Sequence, residues 1–310
     1  MTKNDPLVYV VILNWNNAPD TIECIQSLRK SHYLKYFPLV VDNGSTNGSV
    51  EEIRRNFPSI EVIELQENSG YAAGNNVGIQ YALKKEADYV LILNNDTLVA
   101  PSMIGELIEF AKSKPSAGMV GPKMYCANLD DTLFATGSFI EWAKGKTYNR
   151  GMFQSASDVE SLAAPERVDF ITGCGVLVSR DFLDVAGGFD PVYFLNYEDV
   201  DWGLRAWRLG FEVWYTPSAI MWHKVSGTLG QSSPANTYYM TRNGLLFFWR
   251  NSPLHLRLVA VSRIVIRTLR SVFAWTYKSE YQTEEYRRLR SANLNALRDF
   301  VSGNFGQMNP

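Results

Sequence analysis

This 310-residue chain predicts an α/β fold, a mostly parallel, Rossmann-like sheet with helices on both faces, and three observations carry the prediction. Short apolar runs rich in β-branched residues alternate with helical periodicity through the first third of the chain, the pattern of strands buried on both faces. Polar residues stand just beyond each run, where the carboxyl ends of parallel strands build ligand crevices. The length and a 46% hydrophobic content supply apolar surface for one large domain with an appendage.

The elements follow in order. Val8 to Leu13 is the first strand, and Asp20-Thr-Ile-Glu23 has the form of a capping box opening a helix toward Arg29. Leu39 to Val41 is a short buried strand, Ser49-Val-Glu-Glu52 opens a second helix, Ile60 to Leu65 is a third strand and Tyr71 to Lys84 a third helix. Tyr89 to Leu93 is the fourth strand. From Pro115 to Asp169 the pattern loosens, and Gly137 to Gly151 reads as a hairpin region that shapes the pocket. After the run Phe170 to Val178 comes an acidic helix, then final strands at Glu212 to Tyr215 and Ala219 to Trp222. Beyond Gly230 the chain turns helical. The expected division is a catalytic unit over 1–230 and a C-terminal helical extension over 231–310 packed directly on it.

A formal net charge of -2 and a pI near 6.0 argue against a nucleic-acid binder. The balance hides a basic end, because residues 251–300 hold nine Lys/Arg against four acids. Leu254 to Tyr277 reads as a basic amphipathic helix, with Arg263, Arg267 and Arg270 on one face and Leu258, Val261, Val265, Leu269 and Val272 on another. Two readings stay open for it: a peripheral contact with an anionic membrane, or packing on the catalytic unit or on a second subunit in a homodimer. Cys24, Cys126 and Cys174 have no paired spacing, which suits a reducing compartment and packing roles. The N-terminus lacks the apolar core of a signal peptide, and no run approaches the roughly 20 apolar residues of a membrane span. A cytoplasmic protein is expected, with a peripheral place at the inner face of the plasma membrane under the first of these two readings.

The densest chemical signal is Tyr197-Glu-Asp-Val-Asp-Trp, which places Glu198, Asp199 and Asp201 at the start of a helix. Crowded carboxylates repel and resist desolvation, so Asp199 reads as a catalytic base beside Glu198. The structural alternative has Asn196 or Glu198 capping the helix. Four strand ends carry polar residues: Asn14 and Asn16, then Asp42 with Gly44 and Ser45, then Asn68-Ser-Gly70, then Asn94-Asn95-Asp96. Asp42 is placed to accept an N–H from a pyrimidine base. Gly70, Gly74 and Gly78, interleaved with Asn75 and Asn76, either admit a nucleotide at a helix entry or allow close helix packing. Asp96 suits a hard divalent cation shared with phosphate oxygens, and His223 offers a nitrogen ligand to the same ion.

In this order, Val-Ile-Leu-Asn-Trp-Asn-Asn, Val-Asp-Asn-Gly-Ser-Thr, Asn-Ser-Gly-Tyr-Ala-Ala-Gly-Asn-Asn-Val-Gly, Leu-Asn-Asn-Asp-Thr, Thr-Gly-Cys-Gly-Val-Leu-Val and Tyr-Glu-Asp-Val-Asp-Trp-Gly-Leu-Arg form a specific set. Over residues 7–230 the chain resembles family 2 glycosyltransferases, in particular the rhamnosyltransferase-like branch. The resemblance implies a GT-A fold, a nucleotide-sugar donor (dTDP-rhamnose leading, a UDP-sugar second), Mg²⁺ or Mn²⁺, inversion at the anomeric carbon, and a glycan or polyprenyl-linked glycan acceptor. It implies Asp42 as the base-binding acid, Asp96 as the last acid of the metal motif, His223 as a late metal ligand and Asp199 as the base. Thr172, Gly173 and Cys174 fall at the donor–acceptor junction, and Arg242 and Asn243 where a mobile segment approaches the diphosphate. One departure stands out: Asn94-Asn95-Asp96 replaces Asp-x-Asp, so one carboxylate of the metal motif is missing, which leaves a non-catalytic sugar- or nucleotide-binding module on this fold as the alternative.

Overall fold

The computed structural model describes residues 5–158, 163–224 and 233–308. The first apolar runs form the parallel strands β1 (Val8–Asn14), β2 (Tyr36–Asp42), β3 (Glu61–Glu64) and β4 (Tyr89–Asn94). They pair in the order β3-β2-β1-β4, with Asn14 opposite Asp42 in the β1–β2 register. That register sets the polar strand ends side by side at one edge of the sheet.

The connecting helices are α1 (Ala18–Leu28), α2 (Ser49–Asn56) and α3 (Gly70–Lys84). The start of α1 corrects the expected capping box: Asn17 is the N-cap, its side chain accepts the Asp20 amide, and Pro19 occupies the first turn. Proline fits there because that turn's N–H groups have no helical partner. The glycines of α3 pack the helix against the sheet. A Cβ on Gly74 would stand 2.7 Å from Leu13 Cδ1, and one on Gly78 would collide with Val11.

Beyond β4 the sheet becomes mixed. The strands β5 (Thr97–Val99), β6 (Ala117–Cys126), β7 (Leu133–Ala135), β10 (Glu166–Arg167), β11 (Gly175–Ser179) and β12 (Glu212–His223) extend it, whereas β8 (Ser138–Glu141) and β9 (Lys146–Asn149) form a separate hairpin. β11 lies antiparallel between β4 and β6, and β6 runs parallel to β12. The two expected final strands are one strand, β12, whose pairing register shifts between Thr216 and Ile220. Pro217 lies in that irregularity, where a residue without an N–H costs the ladder least. Helices α4 (Met103–Ser113), α5 (Arg180–Ala186) and α6 (Glu198–Arg208) complete the α/β unit.

The C-terminal region is helical as expected: α7 (Pro234–Asn251), α8 (Leu254–Tyr277) and α9 (Glu284–Ser302). The proposed boundary at residues 230 and 231 lies outside the described residues. A second apolar cluster joins the parts, with Phe170, Tyr193, Tyr197 and Val200 packed against Leu245, Phe247, Phe248 and Ile264. The amphipathic reading of α8 needs rotating. Ala260, Ile264 and Thr268 are its buried stripe, and Leu258 and Leu269, expected on the packing face, stand in solvent. Two of its arginines meet protein instead: Arg263 donates to the Ala143 carbonyl at 2.9 Å and Arg267 to Gly145 at 3.0 Å. Among the described residues no helix is long and apolar enough to cross a membrane.

Candidate functional site

The residues around α6 adopt an uncommon backbone. Phe194, Asn196 and Tyr197 all have positive φ, of 63°, 67° and 73°, and Tyr197 rather than Asn196 or Glu198 is the N-cap of α6, with no side-chain cap bond. Such conformations persist only where surroundings over-determine them. The Nδ2 of Asn243 supplies that restraint, lying 2.7, 2.8 and 2.9 Å from the carbonyl oxygens of Tyr193, Leu195 and Asn196. The turn therefore presents Glu198 and Asp199 to a cavity of about 310 Å³.

Asp199 accepts the Gly173 amide at 3.1 Å through Oδ2 and the Val200 amide at 2.8 Å through Oδ1. Tyr71, on the first turn of α3, donates its hydroxyl to the Gly173 carbonyl at 2.7 Å and so holds the residue whose amide faces Asp199. Burial raises the Asp199 carboxyl above its ordinary range, and the two backbone amides with Thr172 moderate the rise. Glu198 is pushed much higher, first by burial and then by the Asp199 charge, and its Oε2 is buried without a hydrogen-bond partner. The pair shares one environment but not one role. Glu198 is pushed further toward its protonated form, and Asp199, better supplied with N–H donors, holds a negative charge more readily.

Cys174 links this cavity to a second polar pair. Its sulfur lies 3.6 Å from Asn94 Nδ2 and 3.6 Å from Thr172 Oγ1 and interacts with the His223 ring. His223 Nε2 is 3.3 Å from Asp96 Oδ1. Burial opposes the imidazolium, but Cys174 and Asp96 outweigh it and raise His223 to about 11. Asp96 Oδ1, His223 Nδ1 and Asn94 Oδ1 are all buried without hydrogen-bond partners. Buried polar atoms without partners call for one that the chain does not supply, and of these Asp96 Oδ1 already faces the protonated His223 Nε2 at 3.3 Å. Among the described residues no group of three or more His, Cys, Asp or Glu is placed to hold a metal. A cation on Asp96 and His223 thus needs further oxygens from elsewhere.

The strand-end residues of β1 and β2 form a knot of their own. Asp42 is buried and accepts Asn14 Nδ2 at 2.7 Å, the Ser45 hydroxyl at 2.6 Å and the Ser45 amide at 2.9 Å. Asn14 also accepts the Thr21 hydroxyl at 2.8 Å, which engages it fully inside the protein. Asn16 accepts the Thr46 amide at 2.9 Å, and Asn95 donates to Thr21 Oγ1 at 3.1 Å. Gly44 lets the β2 loop pass close against Glu67 and Asn68. Gly70, at φ +86°, abuts Phe194. Asn75 donates to the Tyr71 carbonyl at 2.9 Å and leaves its Oδ1 buried and unpartnered. These residues brace the crevice, and Gly74 packs rather than admits a ligand.

Arg242 departs most from expectation. It is fully buried between the rings of Tyr238, Tyr239 and Phe305, and donates to Asn243 Oδ1, the Tyr238 hydroxyl and the carbonyls of Gly306 and Tyr193. With its donors so occupied it has no hand free for a diphosphate. It pins the C-terminal tail to α7. Residues unremarked in the sequence line the cavity as well: Tyr71, Tyr148 and Asn149 of the β9 hairpin, and Met240 of α7.

A mixed sheet with a carboxylate pair in a strand-end crevice is an architecture that can serve group transfer. Residues 9–182, more than half the chain, match the glycosyl transferase family 2 model, and the chain belongs to that family. It is similar to the dTDP-rhamnosyl transferase RfbF of Shigella flexneri, at 24% identity over 96% of this chain and 97% of that one. It is also similar to the N-acetylglucosaminyl-diphospho-decaprenol L-rhamnosyltransferase of Mycobacterium tuberculosis, at 26% identity over 79% of this chain and 87% of that one. Among solved structures, the mannosyltransferase PcManGT from Pyrobaculum calidifontis in complex with GDP-Man and Mn²⁺ superposes with a TM-score of 0.60 at 16% identity, covering 96% of this chain and 88% of that one. S. aureus TarS gives 0.56 at 18% identity, over 96% of this chain and 49% of that one. The GT-A fold and a sugar-transfer function follow.

Proposed function

We propose that the chain transfers L-rhamnose from dTDP-rhamnose to a hydroxyl of a cell-surface or lipid-linked glycan, with inversion. The observation that carries the proposal is the Asp199 carboxylate, held on the Gly173 amide at 3.1 Å in the cavity it shares with Glu198. The donor assignment draws on the rhamnosyltransferase relatives. Asp199 takes the proton of the acceptor hydroxyl while that oxygen bonds the anomeric carbon and the carbon–diphosphate bond breaks. Burial tunes this base upward, toward the pH at which it works. The burial that favours the neutral form of Glu198 disfavours a second negative charge beside the attacking oxygen.

The Asp96 carboxylate would hold a divalent cation, Mg²⁺ or Mn²⁺, and His223 would join it only after giving up its proton and its contact with Asp96. When bound, such an ion stabilises the charge of the departing diphosphate. Asp96, with His223 in its neutral form, would supply the protein's ligands, and further oxygens would have to come from outside the chain. The reading also includes a peripheral contact of α8 with anionic lipid, where a lipid-linked acceptor resides.

The test is Asp199→Asn, assayed for transfer alongside stabilisation by dTDP. We expect transfer to fall at least about a hundredfold, the scale of a lost general base, with the dTDP-induced rise in Tm retained. Near-normal transfer would overturn the assignment. Stabilisation by UDP but not dTDP would move the donor to a UDP-sugar.

A further inference from the structure

We infer that the helical extension holds a subsite for the oligosaccharide chain of the acceptor, an inference that rests on the transferase reading above. A second cavity of about 540 Å³ lies among α7, α8 and α9, within the roughly 300–1,000 Å³ of small-molecule sites. It adjoins the catalytic cavity. Met240 lines both, and Asn196 on the wall of the first donates to Asn236 on the wall of the second at 2.9 Å.

The lining chemistry selects the ligand. One side carries aromatic rings: Trp275 and Tyr281 flank Tyr286, with centroids 5.9 and 4.7 Å from it. The other carries amides and hydroxyls, with the Thr241 hydroxyl donating to Asn293 Oδ1 at 2.8 Å. A sugar ring has a C–H face to lay on an aromatic ring and an edge of hydroxyls to pair with amides. A lipid chain would find no continuous apolar lining there, because amides and hydroxyls occupy that wall. A nucleotide or phosphate is disfavoured because one cation on the wall, Arg267, is matched by one anion, Glu285. Sugars remote from the reacting hydroxyl would sit here, and their binding would position the acceptor against Asp199.

The experiment measures binding of the full chain to a panel of defined bacterial-type oligosaccharides of one to five sugars, for the wild type, Trp275→Ala, Tyr286→Ala and Ser271→Trp. Ser271→Trp fills the cavity from its wall without removing an aromatic contact, so it stands if the alanine variants fail to fold. We expect retention of at least one oligosaccharide of three or more sugars, no comparable retention of single sugars, and about tenfold weaker binding by each folded variant, the loss typical of an anchoring aromatic. The dTDP-induced rise in Tm should be unchanged. No retained oligosaccharide, or equal binding by the variants, overturns the subsite, and an intact dTDP response then shows that the donor reading survives. Loss of that response in the wild type indicts the proposed function itself.

Discussion

At the scale of single residues, adjacent acids acquire different proton affinities because their neighbours differ. Glu198 has a buried oxygen with no partner, whereas Asp199 has two backbone amides. The sign of the consequence for stability follows. A raised folded pKa means the folded state holds a proton that the unfolded chain loses above about pH 4.3, so stability is fully present below that pH and declines as pH rises toward the folded pKa. Glu198→Gln keeps a neutral side chain of the same shape and removes that slope. We expect its unfolding free energy, followed from pH 5 to 7, to fall less steeply than the wild type's by up to about 1.4 kcal/mol per pH unit. Parallel curves would show that Glu198 is ionised. For catalysis the sign reverses, because Asp199 must be deprotonated. The acid limb of kcat/KM should lie above the ordinary aspartate range of about 3.9 and vanish into the residual rate of Asp199→Asn.

At the scale of elements, much of the crevice was legible. Apolar runs located β1 to β4, and each strand end carried the polar residues that the register then aligned. The acidic run was recognisable as the head of α6 because carboxylates rarely crowd without cause. Other features were hidden for stated reasons. The knot of Asn14, Asp42 and Ser45 depends on the β1–β2 register, which local sequence does not specify. Arg242 reads as a free cation in sequence, and only the packing of α7 against the tail reveals its burial. The face of α8 that meets solvent was equally hidden, since apolar residues lie nearly all round that helix. Its outer side shows Leu258 at 70%, Phe273 at 64% and Tyr277 at 72% exposure, together with Ile266 and Leu269. Arg270 lies beside this stripe, as do Arg263 and Arg267, whose guanidiniums also donate to the Ala143 and Gly145 carbonyls, and among the described residues none of the three pairs with an acid. An apolar stripe edged by cations matches an anionic lipid surface. In flotation we expect the protein to rise with vesicles containing anionic phosphatidylglycerol and not with neutral phosphatidylcholine, and Ile266→Ser with Phe273→Ser to abolish the difference. A concentration-dependent dimer that these substitutions break, without vesicle binding, would assign the stripe to a second copy instead.

At the scale of the whole molecule, the strained turn that presents Glu198 and Asp199 is restrained from both parts: the Tyr71 and Ala72 amides of α3 donate to the Phe194 carbonyl at 2.7 and 3.3 Å, and the helical extension adds its own clamp. Positive φ at three non-glycine positions costs on the order of 1–3 kcal/mol each, and the Asn243 amide bonds three carbonyls of that turn. The second apolar cluster takes residues from both parts, and Arg242 ties Gly306 of the tail back to Tyr193 of the turn. We propose that the units over 1–230 and 231–310 are therefore a single folding unit, with the extension completing the active site. Calorimetry should show one transition whose calorimetric and van't Hoff enthalpies agree. A fragment ending at residue 230 would expose Tyr193, Tyr197 and Val200 to water and lose the Asn243 clamp, so it should neither melt cooperatively nor respond to dTDP. Within the intact chain, Asn243→Leu should leave the nucleotide response in place while lowering transfer about tenfold or more, because it frees the turn without touching the β1–β2 crevice. Two separate transitions, or a cooperatively folded 1–230 fragment that dTDP stabilises, would show that the extension is an independent domain and that the catalytic turn holds its shape by other means.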